Sequence, residues 1–364
     1  MTSKLMDRTT TGALKGIALI LMFVHHLFCF PEFLIGSVSY SRIQDFADLF
    51  CMPTEICVPV FAFLTGYFYC FTKNKTLEYS FRKITDLYIS YWVVYLFLLG
   101  LALGLGCYEF SLYVFAFEMT AAKTELMVFC WYVIFYGLTM VLLPLLTGKR
   151  GHAPWRDLLA VLVLPVVLAS VLLKRELGGI WYNLCLYTVE WFPCVAVGYL
   201  FGKYGLFEKF LDGPVREIRS GGVRCLTWAA AVLAAMAGRY WCNYLYLGQL
   251  DIRGGAYTLI FKTDILYAPL FVWGCVNLLQ YLKKSCILRG LAVLGRYSLL
   301  MWFLHCAFYN PCRDLLQPIL YGAKNPLLVL VWGLLLSLLP ALALDPVVRY
   351  LQKLKNRILA ADSR

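Results

Sequence analysis

The first long apolar segment of the chain, residues 13–30, is the feature that most constrains what this protein can be. It reads A-L-K-G-I-A-L-I-L-M-F-V-H-H-L-F-C-F, with one lysine near its start and two adjacent histidines near its end. A run of this length and apolarity predicts a helix that spans a bilayer. Ionisable side chains inside such a helix are costly and mark a functional site more often than elsewhere.

The spacing of these side chains predicts which of them share a helix face. Lys15 and His26 are eleven residues apart, which places them on one face and about 16 Å apart along the helix axis. His25 is turned by about 100° from His26, so only one imidazole can face the same cavity squarely. The spacing favours His26, with His25 as a neighbour that orients it or faces another helix. A histidine that merely forms a hydrogen bond between helices is the alternative.

The composition places the whole chain in a membrane. Hydrophobic residues make up 61% of the 364 residues, and only 15% are charged, against about a quarter in soluble domains. The net charge of +12 lies in short loops between apolar segments, so it is a topological signal and needs no nucleic acid partner. The 14 cysteines show no zinc spacing, and we expect no metal.

The apolar segments predict an all-α integral membrane protein with about ten transmembrane helices. With cytoplasmic termini, 24 of the 33 basic residues face the cytoplasm and seven face outward, and this favours an even number of spans. We expect an uncleaved first helix, one transmembrane domain over residues 1–345 and a basic cytoplasmic tail over residues 346–364. The predicted spans are 13–31, 54–71, 86–106, 127–146, 157–173, 181–202, 225–246, 257–281, 293–310 and 326–344.

Other ionisable residues lie within or at the rims of these segments. Each is a site candidate or a member of a structural ion pair. Glu190 and Arg239 are candidates to neutralise one another, and Lys262 with Asp264 to lie at the outer interface. The set comprises His25, His26, Glu55, Asp86, Glu190, Arg239, Lys262, Asp264 and His305.

Several motifs along the chain together resemble the membrane acyltransferase-3 family. The first is Lys15 followed by ten residues and His26. The others are P-V-F-A-F-L-T-G-Y-F (59–68), F-R-K-I-T-D-L-Y-I-S-Y-W (81–92), V-F-C-W-Y-V-I-F-Y-G-L (128–138), W-F-P-C-V-A-V-G-Y-L-F-G-K (191–203) and L-G-R-Y-S-L-L-M-W-F-L-H (294–305). The chain departs from the family pattern at Thr65 and Ser90, which replace serine and proline, and at Asp86, where a second arginine is common. The resemblance covers roughly residues 7 to 345.

The resemblance implies transfer of an acyl group, usually acetyl, from cytoplasmic acyl-CoA to a hydroxyl of a carbohydrate. The acceptor would be a cell-surface polysaccharide or a lipid-linked glycan, and the protein would lie in the bacterial inner membrane. Acyl-CoA would be a donor substrate, with no bound cofactor. His26 would act as a general base or carry the acyl group itself. The family position of His305 implies a secondary site role, and Glu190 and Trp131 are further candidates for acceptor binding.

The basic residues at the cytoplasmic mouth suit the donor. Lys15, Arg82 and Lys83 can supply charge-assisted hydrogen bonds to the phosphates of CoA. The extended pantetheine arm is comparable in length to the offset between Lys15 and His26, so the thioester would arrive beside the imidazole.

Two rival functions remain open from the sequence. A transporter or flippase for a lipid-linked glycan or a small polar solute would also need buried ions and ten spans. Such proteins more typically have two related halves with interrupted helices, and the sequence shows no such pairing. A sensing or accessory subunit without catalysis is a weaker alternative.

Overall fold

The structure is a computed structural model that describes residues 6–30, 33–35, 49–50, 53–122, 124–147, 153–175, 177–247, 257–282 and 285–361. Within these ranges the regular elements are helices, and no strand is present. The first half contains α1 (Arg8–Phe28), α2 (Cys57–Cys70), α3 (Leu77–Gly104), α4 (Leu112–Met119), α5 (Tyr132–Thr147), α6 (Pro154–Leu173) and α7 (Gly179–Glu190). The second half contains α8 (Phe192–Tyr204), α9 (Gly213–Arg216), α10 (Gly221–Leu247), α11 (Tyr257–Tyr281), α12 (Cys286–Leu304), α13 (Arg313–Tyr321) and α14 (Pro326–Ala361).

Local chemistry sets several helix boundaries. The Asp7 side chain accepts a hydrogen bond from the backbone N–H of Thr10 at 2.7 Å, and Ser285 caps α12 through Leu288 in the same way at 3.1 Å. Such side chains satisfy backbone donors that have no partner inside the helix. Between α7 and α8 the axis bends by 44°, where Pro193 follows Trp191 and cannot donate a backbone hydrogen bond.

Each of the ten predicted spans coincides with helix in the structure. Six helices are long and apolar enough to cross a bilayer, and a seventh crossing results if α7 and α8 count as one bent span. The apolar helices α2 and α5 are shorter, with 14 and 16 residues. The chain is therefore all-helical with at least six candidate spans in its described part, while ten remains a prediction.

Helices α1 and α12 pack closely and in parallel. A Cβ atom on Gly295 would lie 1.8 Å from the carbonyl oxygen of Gly12, and one on Gly16 would lie 2.1 Å from that of Leu291. The backbones thus touch where only glycine fits. Ten residues further along both helices, His26 contacts His305, so α1 and α12 run in the same direction.

A second glycine contact joins α2 to α8, also in parallel. A Cβ atom on Gly66 would lie 1.8 Å from the carbonyl oxygen of Val195, and near the ends of both helices a Cβ atom on Gly202 would lie 2.9 Å from the Cβ atom of Cys70. By contrast, α10 and α11 are antiparallel, because Gly274 faces Trp228 while Gly238 faces Tyr267. Small residues let membrane helices approach this closely.

The segment that contains α4 folds back into the bundle. Hydroxyls of Tyr88 and Tyr91 on α3 donate to the carbonyl oxygens of Thr120 and Glu118, both at 2.8 Å. These tyrosines lie about 20 Å from the end of α3 at Gly104, at 1.5 Å per residue. The chain therefore returns from the end of α3 to its middle, and α5 begins from there.

The last helix extends well past the length that a membrane needs. Its 36 residues span roughly 54 Å, so the predicted tail over residues 346–361 continues the helix. Lys355 binds Asp86 at 2.5 Å, and the Gln352 side chain donates to the Asp86 carbonyl oxygen at 3.1 Å. The tail helix therefore packs on the first turns of α3.

The glycine contact between α1 and α12 predicts a large effect of one added methyl group. Gly295→Ala should lower the thermal unfolding temperature in detergent, because overpacking costs about 1–3 kcal/mol or more. Gly290→Ala on the same helix is the matched control, since a Cβ atom there meets nothing within 4 Å. Equal unfolding temperatures for the two variants would contradict this packing.

Candidate active site

His26 and His305 form a hydrogen-bonded pair between α1 and the end of α12. His26 Nδ1 lies 2.7 Å from His305 Nε2, and the rings are within 9° of parallel with centroids 4.7 Å apart. His305 is fully buried, whereas His26 retains partial exposure. The pair therefore presents one accessible imidazole that is backed by a buried one.

Both histidines lie at helix C-termini. The last carbonyls of a helix have no intrahelical partner, and they carry the negative end of the helix dipole. In α1 these carbonyls are capped by hydroxyls, with Tyr309 donating to His26 and Tyr321 donating to Leu27 at 2.8 Å. The negative end of a helix dipole therefore lies beside each imidazole.

Aromatic side chains enclose the pair. The Phe129 ring stacks on His26 at 4.2 Å and 17°, and Phe23 lies against His305 at 5.7 Å. Phe129 is only 9% exposed, so it shields one face of the His26 ring from water.

Glu118 holds the loop that carries Phe129. Its Oε1 atom accepts hydrogen bonds from the backbone N–H groups of Leu126 at 2.5 Å and Met127 at 3.3 Å. On the other side, the Asn310 side chain donates to the carbonyl oxygen of Glu125 at 2.7 Å. Irregular backbone inside a membrane protein needs such partners, because lipid offers none.

His25 lies outside this pair. It is 7% exposed, and its ring packs edge-on against Phe30 at 5.1 Å. The adjacent imidazoles of His25 and His26 are 5.5 Å apart and tilted by 49°. The structure thus brings His26 to His305 and leaves His25 beside them.

Two of the three basic residues that were predicted to bind the acyl donor lie close together. Lys15 and Lys83 are close enough for their like charges to interact, and Lys83 also lies over the Tyr79 ring at 5.7 Å. Among the described residues, neither lysine has a carboxylate within ion-pair distance. Arg82 instead binds Glu78 at 2.7 Å in an exposed pair, which contributes little to stability.

Trp131 borders a crevice beside the folded-back segment. Its ring lies 4.9 Å from Tyr187 and 5.8 Å from Trp191. Thr124 and Asn183 add polar groups to the crevice, whose accessible volume is about 60 Å³. Trp131 follows Phe129, which stacks on His26, by two residues in the chain.

The structure corrects one suggested ion pair and the suggested position of Asp264. Arg239 does not pair with Glu190 but binds Asp264 through two hydrogen bonds of 2.7 and 3.0 Å, and Glu55 at 3.2 Å. Asp264 is fully buried rather than interfacial, because the guanidinium compensates its charge. The side chain of Lys262 lies outside the described residues.

Comparison with known proteins identifies the family. Residues 12–345 match the acyltransferase-3 family, described as an acyltransferase domain. No curated protein and no solved structure matches the chain. The chain belongs to this family and is a membrane acyltransferase with several apolar helices. It therefore acts on an acyl donor and an acceptor. The transporter hypothesis is set aside.

Some neighbours of the pair were not predicted from sequence. Tyr309 follows His305 by four residues, a helical spacing that points toward the same face, and this signal was present in the sequence. Phe129 and Glu118 carry no comparable signal, because their contacts to α1 and to the loop depend on how distant segments fold.

Glu118 predicts a pH-dependent stability. Burial raises the pKa of this carboxyl above its usual value of 4.5, against the opposing effect of the backbone hydrogen bonds. A carboxyl group whose pKa is higher in the folded than in the unfolded protein adds to the free energy of unfolding when the pH is below the unfolded pKa. This contribution is lost as the pH rises through the pKa of the folded protein. Relative to Glu118→Gln, the wild type should therefore become less stable as the pH rises, by about 1.4 kcal/mol for each pH unit that separates the folded pKa from the unfolded one.

The measurement is thermal unfolding of both proteins in detergent between about pH 4 and about pH 8, values chosen to bracket the titration of a glutamate. In Glu118→Gln the amide oxygen can still accept from the loop, so the geometry is matched. If the unfolding temperatures of the two proteins changed with pH in parallel, Glu118 would have the same pKa in the folded and the unfolded protein, and the prediction would be wrong.

Proposed function

We propose that this membrane acyltransferase moves an acetyl group from cytoplasmic acyl-CoA to a hydroxyl of a cell-surface or lipid-linked carbohydrate, with His26 as the reacting imidazole. The protein would lie in the cell's inner membrane. The observation that carries the proposal is the hydrogen-bonded pair of His26 and His305, because its partners determine where the protons lie.

The protonation of the neutral pair follows from its hydrogen bonds. His305 Nδ1 contacts the carbonyl oxygen of Trp302, which can only accept, so Nδ1 carries the hydrogen. His305 Nε2 is then an acceptor and receives the hydrogen of His26 Nδ1. Of the four ring nitrogens in the two histidines, His26 Nε2 therefore keeps a free lone pair, as a general base requires.

The reaction balances with this assignment. The acceptor oxygen attacks the thioester carbonyl, the hydroxyl proton moves to His26 Nε2, and the carbon–sulfur bond breaks. CoA leaves as a thiolate that takes up a proton and becomes the free thiol. If His26 carries the acyl group first, the same Nε2 atom attacks the thioester carbonyl, the carbon–sulfur bond breaks and CoA leaves as the thiolate. The acceptor oxygen then attacks the acyl carbon, the bond to Nε2 breaks, and the hydroxyl proton ends on the CoA thiolate.

The charge at the other end of α1 supports a donor with phosphates. Lys15 and Lys83 repel one another without a nearby carboxylate among the described residues, and an anion would relieve this repulsion. About three helical turns separate Lys15 from His26, a distance that an extended pantetheine arm can bridge. Arg82, bound to Glu78, is a weaker candidate for this role.

The crevice at Trp131 supports an acceptor that enters beside the folded-back segment. Irregular backbone inside a membrane protein is tolerated where it lines a wet cavity. The ring pair of Trp131 and Tyr187 offers an apolar face, and Asn183 and Thr124 offer hydrogen bonds. This combination suits a sugar ring, and it supports an acceptor-binding role for Trp131.

Helix directions support ten spans with cytoplasmic termini. In that topology the first and ninth spans run the same way, as do the second and sixth, while the seventh and eighth are opposed. The glycine contacts show these directions for α1 with α12, for α2 with α8 and for α10 with α11.

Substitution of the two adjacent histidines tests the assignment. His26→Ala should reduce release of free CoA from acetyl-CoA by at least about a hundredfold, because general base catalysis contributes about 10²–10⁴-fold. His25→Ala is the matched control and should lower the rate much less. The measurement is thiol release by purified protein in reconstituted vesicles, and equal activity of His26→Ala and wild type would refute the role.

The role of His305 is tested by the same assay with two variants. His305→Leu removes the acceptor for His26 Nδ1–H and should lower kcat with little change in KM. His305→Gln places an amide oxygen near that position and should restore part of the rate. Equal loss in both variants would show that His305 only packs.

The donor site predicts changes in KM. Lys15→Met and Lys83→Met should each raise the KM for acetyl-CoA about tenfold or more, because a hydrogen bond to a charged group contributes roughly 1.5–3 kcal/mol. Lys353→Met, an exposed site on the tail helix, is the control. An unchanged KM in both site variants would remove the lysines from donor binding.

A further inference from the structure

A second buried polar cluster lies apart from the histidine pair. It joins Arg239 on α10, Asp264 on α11, Glu55 just before α2 and Glu190 at the end of α7. Tyr132 connects the two regions, since its ring lies edge-on to Trp302 at 5.8 Å and within electrostatic range of Cys57. The cluster belongs to the protein interior rather than to a helix rim.

The guanidinium of this cluster is committed to two of the carboxyl groups. Arg239 is 0% exposed and holds Asp264 through Nε and Nη2, and its Nη2 atom also contacts Glu55. A buried cation with this bidentate partner is well compensated. The third carboxyl group, Glu190, lies beyond the reach of this guanidinium.

Glu190 has no partner of its own in the described part of the chain. It is 8% exposed, and no hydrogen bond or ion pair reaches its carboxyl group there. The charged neighbour that acts on it is Glu55, which carries the same sign of charge. An isolated carboxylate in such surroundings is expensive to bury, so the group takes up a compensating positive charge.

We propose that Glu190 is a proton-binding site inside the membrane domain, where it is held as a neutral carboxylic acid near Glu55, which binds Arg239. A metal ion is the less suitable occupant, because hard cations take about six to eight oxygen ligands and two carboxyl groups offer at most about four. The inference is independent of the proposed acyl transfer, since it rests on a different set of residues.

The groups that face this pair are few. Glu55 neighbours Cys57 and Arg239, while Cys194 lies near Asp264 and Arg239. Tyr187, one turn before Glu190 on the same helix, is the other titratable neighbour. With Arg239 bound to Asp264 and Glu55, the charge of Glu190 is set by Glu55 and by the apolar surroundings.

Infrared difference spectroscopy on the full chain in lipid vesicles tests the proposal. At neutral pH the wild type should show the carbonyl stretch of a protonated carboxyl group that Glu190→Gln lacks, and raising the pH should remove it. Glu55→Gln removes the opposing charge and should lower the pH at which the band disappears. Glu78→Gln, at an exposed ion pair, is the control and should leave the band unchanged.

Labelling with dicyclohexylcarbodiimide, which reacts with protonated carboxyl groups in apolar surroundings, gives a second measurement. Mass spectrometry should find the adduct on Glu190 and not on Asp264. Identical spectra for wild type and Glu190→Gln across the pH range would show that Glu190 is ionised and would overturn the proposal. Loss of the band and of the label on adding sodium chloride at constant pH would overturn it in favour of a cation site.

Discussion

The close contact of α1 with α12 is the interaction on which the rest of the site depends. Gly12, Gly16 and Gly295 let two parallel backbones touch, and His26 and His305 then follow ten residues after Gly16 and Gly295. With a larger residue at Gly16 or Gly295, the helices would separate, and a hydrogen bond of 2.7 Å between two short side chains would be lost. The imidazole pair is therefore a consequence of backbone packing.

The low dielectric of the membrane explains why several buried polar groups of the bundle are paired with one another. Tyrosine hydroxyls cap the last carbonyls of α1, Glu118 receives two loop N–H groups, and Arg239 is fully buried against carboxylates. Each unmet group would cost several kcal/mol in hydrocarbon. Glu190 departs from this pattern in the described part of the chain, and a bound proton resolves its charge without a partner.

The two polar sites differ in what their neighbours allow. At the histidine pair, His26 retains partial exposure, and its Nδ1 atom is hydrogen-bonded to a fully buried His305. In the acidic cluster, the guanidinium of Arg239 is enclosed and its partners hold it in place. The first arrangement suits turnover, in which a proton is gained and lost in each cycle, whereas the second suits a stable charge state.

Much of the fold could be predicted from the sequence, because span length and apolarity are local properties of the chain. All ten apolar segments are helical, and the spacing from Lys15 to His26 indicated a shared face. The ion pairs were predicted less well. Arg239 lies 49 residues from Glu190 and 25 from Asp264 in the chain, and no periodicity decides which of them the guanidinium meets.

The sequence by itself determined the class of protein, the helices and the family, since these follow from composition, periodicity and motif order. Only the tertiary structure decided the partners of each polar side chain. It placed His305 against His26 and folded residues 112–131 back beside them. Such pairings join segments far apart in the chain, and they depend on helix contacts that glycine permits and other residues forbid. The first apolar segment therefore contains one half of the site, and the packing of α1 on α12 supplies the other.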